Sequence, residues 1–487
     1  MSESPVNIQF ALISHTNNGK TTLARTLIGV DVGEVRDAAH VTITAESHPL
    51  LTSAAGDVLR LWDTPGFGDS VRLFRRLAIS DNPIGWFLRE VFDRYRDRPF
   101  WLSQQALRTA KESADVVLYL VNSSENPRDA GYLASEMKIL AWLNKPVVVL
   151  LNQLGPPRPA AEEQSEQARW KQHLDQYTIV REVLALDAFA RCWVHERVFY
   201  EAIGKLIDEQ KKEGYARLFA TWEANNLRRF HESLRLTSVQ LAAAAKDSEP
   251  IDSSASNMFK AAIHKIGLSK SGERPGHEKA MARLVERLEA NITQTTKQLL
   301  ALQQLDPSEA AKINARVRDN FAVRAPVDQA QAGLLGAIIS GAATGLSADL
   351  MAGGLTFGTG ALVGGVVGAL TLAGAAWGFN TSTDRNEPTM QFADDFLRTL
   401  LVSGVLRYLA VAHFGRGRGN FVEGEAPAFW QTEVEQALGL HAADLGQLWE
   451  SVRAEPLLDK AVVQVDAVVL RVTAHVLKQL YPGVHGA

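Results

Sequence analysis

One cysteine, Cys192, occurs in 487 residues. A disulfide framework and a cysteine-based zinc cluster are therefore excluded within one chain, and a reducing compartment, the cytoplasm, is expected. An excess of one charge sign is also missing: 51 Lys and Arg stand against 55 Asp and Glu, a net of -4. A global basic footprint for nucleic acid is absent, which leaves only room for a local patch. The 12 histidines include no H-E-x-x-H pair, and no G-x-S-x-G elbow occurs, so neither a zincin nor an α/β-hydrolase site is written in the chain. No solenoid-type repeat is present. The opening run MSESPVNIQF has no charged region followed by an apolar stretch, so no signal peptide is expected. What remains is ordinary globular composition, 46% hydrophobic and 22% charged, in a length that suits about three domains.

The first 210 or so residues alternate short β-rich runs with helical patterns, which predicts an α/β fold with a mostly parallel sheet. Six strands are expected, at Val6–Ile13, Val41–Ala45, Val58–Trp62, Val116–Val121, Val147–Leu151 and Val180–Leu186. The runs at Val116 and Val147 are apolar throughout, as central strands covered on both faces must be. Helices are expected at Gly131–Leu143 and Glu162–Gln176. About fifty residues, 68–114, interrupt the pattern with Phe74, Trp86, Phe87, Phe92, Tyr95, Phe100 and Trp101 among many arginines. They are either an amphipathic helical pair packed on the domain or an element that binds a partner.

Past residue 195 the strand signal stops. Val194–Gln240 and Glu278–Leu305 carry helical spacing, the latter through Met281, Leu284, Leu288 and Ile292. Asp247–Asn257 and Lys270–His277 read as connections, Asp306 as a cap before Pro307, and the tail after Pro388 as helical. The expected division is 1–210, 211–329, 330–380 and 381–487. Residues 330–380 hold 13 glycines, 12 alanines and one charged group, Asp349. Glycines at four-residue spacing (Gly341, Gly345, Gly360, Gly364, Gly368) allow close helix approach, in a membrane surface or in a buried soluble hairpin. Membrane contact would place the protein at the inner membrane. Gly415-Arg416-Gly417-Arg418-Gly419 reads as a solvated basic turn, with lipid headgroup contact as the alternative.

The strongest pattern is Ser14-His15-Thr16-Asn17-Asn18-Gly19-Lys20-Thr21-Thr22, between a strand and a helix. It matches the P-loop G-x-x-x-x-G-K-[ST] except that Ser14 replaces the first glycine. Gly19 lets the backbone wrap a phosphate, the loop amides face it, Lys20 neutralises β- and γ-oxygens, and the Thr21 hydroxyl suits Mg2+. Asp63-Thr64-Pro65-Gly66 follows a strand some forty residues on, with Asp63 aimed at Mg2+ and the Gly66 N–H at a γ-phosphate. Thr42 lies between them and is either an Mg2+ ligand or an ordinary strand threonine.

These motifs resemble the translation-factor-related GTPases, most nearly the Era/TrmE-like branch, over residues 5–210. Asn17 falls on the asparagine of that branch's first motif, and Asp63-Thr64-Pro65-Gly66-Phe67 on its third. The helical, Gly-rich remainder resembles the C-terminal part of an uncharacterised bacterial family of such GTPases. The resemblance implies GTP and GDP as ligands, slow hydrolysis with Mg2+, and K+ bound through Asn17. It implies a switch acting on the helical region and an unidentified protein partner. Two departures stand out. The guanine-reading N-K-x-D is Asn152-Gln153-Leu154-Gly155 here, without the carboxylate. An ATP preference follows if nothing replaces that carboxylate. Asp187 either replaces it, with the Ala188 amide facing O6, or caps the next helix. Phe67 stands where a water-orienting glutamine serves in Ras-like enzymes. A third reading is a nucleotide-gated membrane scaffold with little turnover.

Overall fold

The computed structural model describes residues 4–29, 45–90, 96–155, 157–188, 192–250, 275–305, 307–310, 379–384, 387–413, 427 and 429–482. Thr42, Phe92, Tyr95, Asp306, Asp349, the Gly/Ala-rich segment up to Gly378 and the Gly415–Gly419 loop lie outside them. The chain divides into two units. The first comprises Met1–Arg229, Ala412–Pro427 and Leu477–Ala487; the second comprises Phe230–Val411 and Ala428–Val476.

The first unit is built on a six-stranded sheet in the order β2-β3-β1-β4-β5-β6. Its strands are β1 (Asn7–Ser14), β2 (Glu46–Thr52), β3 (Val58–Asp63), β4 (Val116–Asn122), β5 (Val147–Asn152) and β6 (Val180–Ala185). All neighbours pair in parallel except β2 with β3. Five of the six match the expected strands within two residues. The run at Val41–Thr44 lies outside the described residues, and β2 follows it, unforeseen. Its sequence ESHPLLT contains Pro49, which a central strand would reject. β2 tolerates it because it is an edge strand, with a register irregularity between Pro49 and Leu51. Every residue of β5 is buried, as are six of the seven in β4.

Helices α1 (Lys20–Ile28), α5 (Leu133–Ala141), α6 (Ala160–Leu174) and α7 (Trp193–Gly204) alternate with the strands. The interruption after β3 holds three helices rather than a pair: α2 (Ser70–Leu77), α3 (Pro83–Arg89) and α4 (Arg98–Glu112). Asp69 caps α2 and Asn82 caps α3, each side chain accepting a backbone N–H at 3.0 Å. Phe87 and Phe100 are buried in the same core as β4 and β5, and Phe74, Trp86 and Trp101 pack half-buried against it. Each fully buried aromatic contributes about 1.5–3 kcal/mol. Arg72 and Arg76 lie over the Phe100 ring at 5.1 and 5.6 Å. The described aromatics of this insertion therefore pack on the domain.

Helix α8 (Lys212–Lys246) begins in the first unit and its later residues belong to the second. The second unit adds α9 (Pro275–Leu302), α10 (Asp394–Ala412), α11 (Phe429–Leu440), α12 (Ala442–Ala454) and most of α13 (Leu458–Leu480). Its core includes Leu284, Leu288, Ile292, Leu401, Val405, Trp430, Trp449 and Val469, so three of the four positions foreseen in α9 lie on its buried face, and the side chain of the fourth, Met281, lies outside what is described. The expected absence of strands is corrected. β7 (Ser248–Pro250), β8 (Phe379–Asp384) and β9 (Glu387–Phe392) form a second sheet in the order β7-β9-β8. Thus Ser248–Pro250 is not a loop, Phe379–Asn380 opens a strand, and the tail after Pro388 is a strand before it is helical. Pro307 opens a 3-10 turn, Pro307–Glu309, that runs into an α-helical Ala310, after which the expected helix lies outside the described residues.

Candidate functional site

β1 lies between β3 and β4, so the chain leaves it toward β3 on one side and β4 on the other. Open α/β sheets form their ligand crevice at such a reversal, beyond the carboxyl ends of the strands. Ser14, Asp63, Asn122 and Asn152 end four adjacent strands there. The residues picked from sequence at Ser14–Thr22, Asp63 and Asn152 converge on this edge.

The loop after β1 turns into α1 through left-handed backbone at Asn17 (φ 67°) and Gly19 (φ 82°). A Cβ on Gly19 would stand 2.8 Å from Asn152 Nδ2, so glycine is demanded by conformation and by space. No side chain caps α1 and no acidic residue sits in its first turn. A helix N-terminus without a capping side chain or carboxylate is the kind of end that favours an anion. Asn152 locks the loop from below: Nδ2 donates to the Asn18 carbonyl at 2.9 Å. Asn18 Nδ2 donates in turn to the Leu120 carbonyl at 3.2 Å. Asn17 itself is exposed, and Thr22 is buried in α1.

Lys20 is buried, and its ammonium donates to Ser14 Oγ at 2.9 Å. Burial lowers its pKa to about 8, against the pull of Asp63 and Glu136. Ser14, the departure from the motif glycine, thus gives the ammonium a seat. The Thr21 hydroxyl donates to Asp63 Oδ2 at 2.5 Å. Asp63 is 3% exposed, and its Oδ1 has no hydrogen-bond partner among the described residues. Burial raises its pKa, with Thr21 and Lys20 opposing. A half-buried hydroxyl and an orphaned, buried carboxylate oxygen are hard oxygen donors of the kind Mg2+ takes. The residues present fit that ion.

Gly66 faces the loop: a Cβ there would lie 3.0 Å from Lys20 Nζ and 3.1 Å from Thr16 Cα. Phe67 points the other way and is fully buried in the core. Its backbone pairs with the loop, its N–H donating to the Ser14 carbonyl at 2.9 Å and its carbonyl accepting from Thr16 Oγ1 at 2.7 Å. On the far side, His15 Nδ1 lies 2.7 Å from Glu136 Oε1, and the Tyr119 hydroxyl donates to Glu136 Oε2 at 2.6 Å.

At the other end of the crevice, Asn152 Oδ1 accepts the Ala188 N–H at 2.9 Å. A guanine O6 would have to share that amide. Asp187 is 4% exposed and its Oδ2 accepts the Leu154 N–H at 2.5 Å. It does not cap the next helix: α7 is preceded by Cys192. Gln153 and Gly155 both have left-handed backbone, at φ 60° and 81°. Thr42 lies outside the described residues. Sequence reasoning missed Glu136 and Tyr119. Glu136 shares one helical stripe with Leu133, Met137 and Leu140, all buried. A carboxylate on an apolar stripe was the readable sign.

The geometry defines a P-loop nucleotide-binding fold, followed by a largely helical region. A family model described as 50S ribosome-binding GTPase matches residues 9–153. The model described as Domain of unknown function (DUF3482) matches residues 171–461, more than half the chain, and the chain belongs to that family. Solved structures with similarity include an Era variant from Aquifex aeolicus bound to GDP and AlF4- (20% identity, TM-score 0.31). Another is Era in complex with MgGDPNP and nucleotides 1506–1542 of 16S ribosomal RNA (18% identity, TM-score 0.31). For both, the match covers 42% of this chain and 58% of the other, under two thirds of its length. A bacterial selenocysteine-specific elongation factor matches at 16% identity and a TM-score of 0.27, over 41% of this chain and 28% of its own. No curated protein matches the sequence.

Proposed function

We propose that the chain binds GTP and hydrolyses it slowly to GDP and phosphate, and that residues 1–210 act as a switch for the helical remainder. The observation that supports this best is the meeting of Lys20, Thr21, Asp63 and Gly66 at the reversal of the sheet. Lys20 neutralises charge on the β- and γ-oxygens, the amides from Asn17 to Thr22 hold the β-phosphate, and the Gly66 N–H meets the γ-phosphate. Thr21 Oγ1 and Asp63 Oδ1 would hold Mg2+, which would supply further charge neutralisation on those oxygens. Phe67, buried, orients no water, so turnover depends on charge delivered elsewhere, and Asn17 is the group we assign to K+ binding.

Base choice follows from what replaces the missing carboxylate. We assign Asp187, beside Leu154 on the base side of the crevice, as the acceptor for guanine N–H groups. The competing reading, ATP preference, draws on Gly155, which places no side chain at all in the usual position. Titration of the full chain with GTP, GDP and ATP in Mg2+ decides. GTP and GDP binding at least tenfold tighter than ATP supports the proposal; equal or tighter ATP binding overturns it.

A further inference from the structure

The first half of the phosphate loop, Ser14–Thr16, is fastened on two sides. On the helix side His15 meets Glu136 at 2.7 Å, and its ring stacks on Tyr132 with centroids 4.2 Å apart and planes 14° from parallel. The Tyr132 hydroxyl donates to Glu125 Oε2 at 2.8 Å. Glu136 and Tyr119 are completely buried. Glu136 takes two donors, His15 Nδ1–H and Tyr119 O–H, one on each oxygen. On the sheet side the loop pairs with Phe67 through the Phe67 N–H to Ser14 bond, the Thr16 Oγ1 to Phe67 bond and the parallel bridge of His15 with Phe67. Phe67 is the next residue after Gly66, whose α-carbon faces Lys20 Nζ and Thr16.

We propose that His15 and Glu136 are positioning residues for the γ-phosphate. They hold the Ser14–Thr16 backbone against the Phe67 backbone, and so hold Gly66 in place beside Lys20 and Thr16. This inference rests on the GTPase reading of the site. The contact being positioned is made only by the third phosphate. The loop amides and Lys20 also serve the β-phosphate, which GDP shares. Loosening His15 should therefore cost triphosphate affinity selectively. A network that merely stabilised the domain would cost both nucleotides alike.

The test is titration of the full chain, with Mg2+, against GDP and a non-hydrolysable GTP analogue. His15→Ala should lose about tenfold in analogue affinity, the order of one well-made hydrogen bond, with GDP affinity changed less than about twofold. His15→Asn, which restores a donor near the Nδ1 position, should recover most of the loss. Glu136→Gln, which presents an N–H where a donor needs an acceptor, should resemble His15→Ala. Glu136 is buried and Glu136→Gln risks misfolding; His15 is partly exposed, so its pair of variants carries the test alone. Equal losses for both nucleotides, no loss, or failure of His15→Asn to recover would each overturn the proposal. A Lys20→Ala control separates the two levels: unchanged analogue affinity there would mean that the phosphate site itself is misassigned.

Discussion

Arg217, in the second turn of α8, grips Asp57 in a two-point pair, Nε to Oδ2 at 2.8 Å and Nη2 to Oδ1 at 2.9 Å. Asp57 also accepts from Ser53 Oγ at 2.6 Å and from the Val6 N–H at 3.1 Å. The turn between β2 and β3 is thereby tied to the first turns of α8. Gly214 makes the approach possible: a Cβ there would lie 2.0 Å from Val6 Cγ2. The carboxylate is fully shielded, but by its partners at the sheet edge rather than by depth in a core. Removing one partner of a buried pair costs about 3–5 kcal/mol, and this position belongs at the low end. Arg217→Ala should lower unfolding stability by about 3 kcal/mol, read from urea titration of the full chain. A loss under about 0.5 kcal/mol would mean that the pair behaves as an ordinary surface bridge.

The same pair sets a pH dependence. Hydrogen bonding from Arg217 holds the Asp57 carboxyl well below the usual carboxylate range, with Ser53 and Val6 adding to the effect and desolvation opposing it. A depressed folded-state pKa stabilises the fold above the unfolded-state value. That stability is lost as pH falls through the folded-state value. Wild-type stability should therefore decline as pH drops below about 4, the unfolded aspartate's pKa. Arg217→Ala should decline less steeply over the same window. Parallel pH curves for the two proteins would remove Asp57 as the cause.

Lys20, which we assign to the phosphate site, is buried, and among the described residues Ser14 Oγ is the partner its ammonium has. Lys20→Ala should abolish measurable binding of triphosphate while the melting temperature stays close to that of the wild type. The substitution removes a buried cation whose burial already disfavours it, as its lowered pKa of about 8 records. Retained affinity by titration calorimetry would remove the P-loop assignment.

Five strands of the first sheet were legible because β-branched and apolar runs stand between clear turn residues, and Gly19-Lys20-Thr21 identifies itself by spacing. Four strands were not. β2, β7 and β9 each contain a proline (Pro49, Pro250, Pro388), and β8 reads FNTSTD, polar almost throughout. Such segments are strands only because a partner is present. Ser248 pairs with Gln391, 143 positions away, and no local pattern encodes that. The site divides in the same way. Loop residues announce themselves, because phosphate chemistry restricts their types. Glu136 and Asp57 owe their roles to His15 and Arg217, which lie 121 and 160 positions away in sequence.

Turnover should depend on the monovalent cation. Phe67 is fully buried, so the residue after Gly66 leaves the attacking water unguided. Asn17 stands exposed at the phosphate loop with left-handed backbone. If its side chain helps bind K+ there, GTP hydrolysis should run faster in K+ than in Na+ at equal ionic strength, and Asn17→Ala should erase the difference. Equal rates in the two salts would refute the assignment.

The base end of the crevice yields the sharpest contrast between two substitutions. Asp187 is buried beside Leu154, and a charged hydrogen bond there contributes about 1–3 kcal/mol. Asp187→Asn should therefore weaken GTP by that amount and leave ATP nearly unchanged. Gly155 tests the same idea in the opposite direction. A Cβ on it meets nothing within 4 Å, so space is available, and its φ of 81° is a conformation that aspartate adopts more readily than most residues. Gly155→Asp restores a carboxylate at the fourth position of Asn152-Gln153-Leu154-Gly155. It should raise the GTP-to-ATP affinity ratio, and in the Asp187→Asn background it should recover part of what that change removed. If Asp187→Asn lowers GTP and ATP affinity equally, Asp187 is only the anchor of the Leu154 amide. If Gly155→Asp also leaves the ratio unmoved, the base sits elsewhere in the crevice.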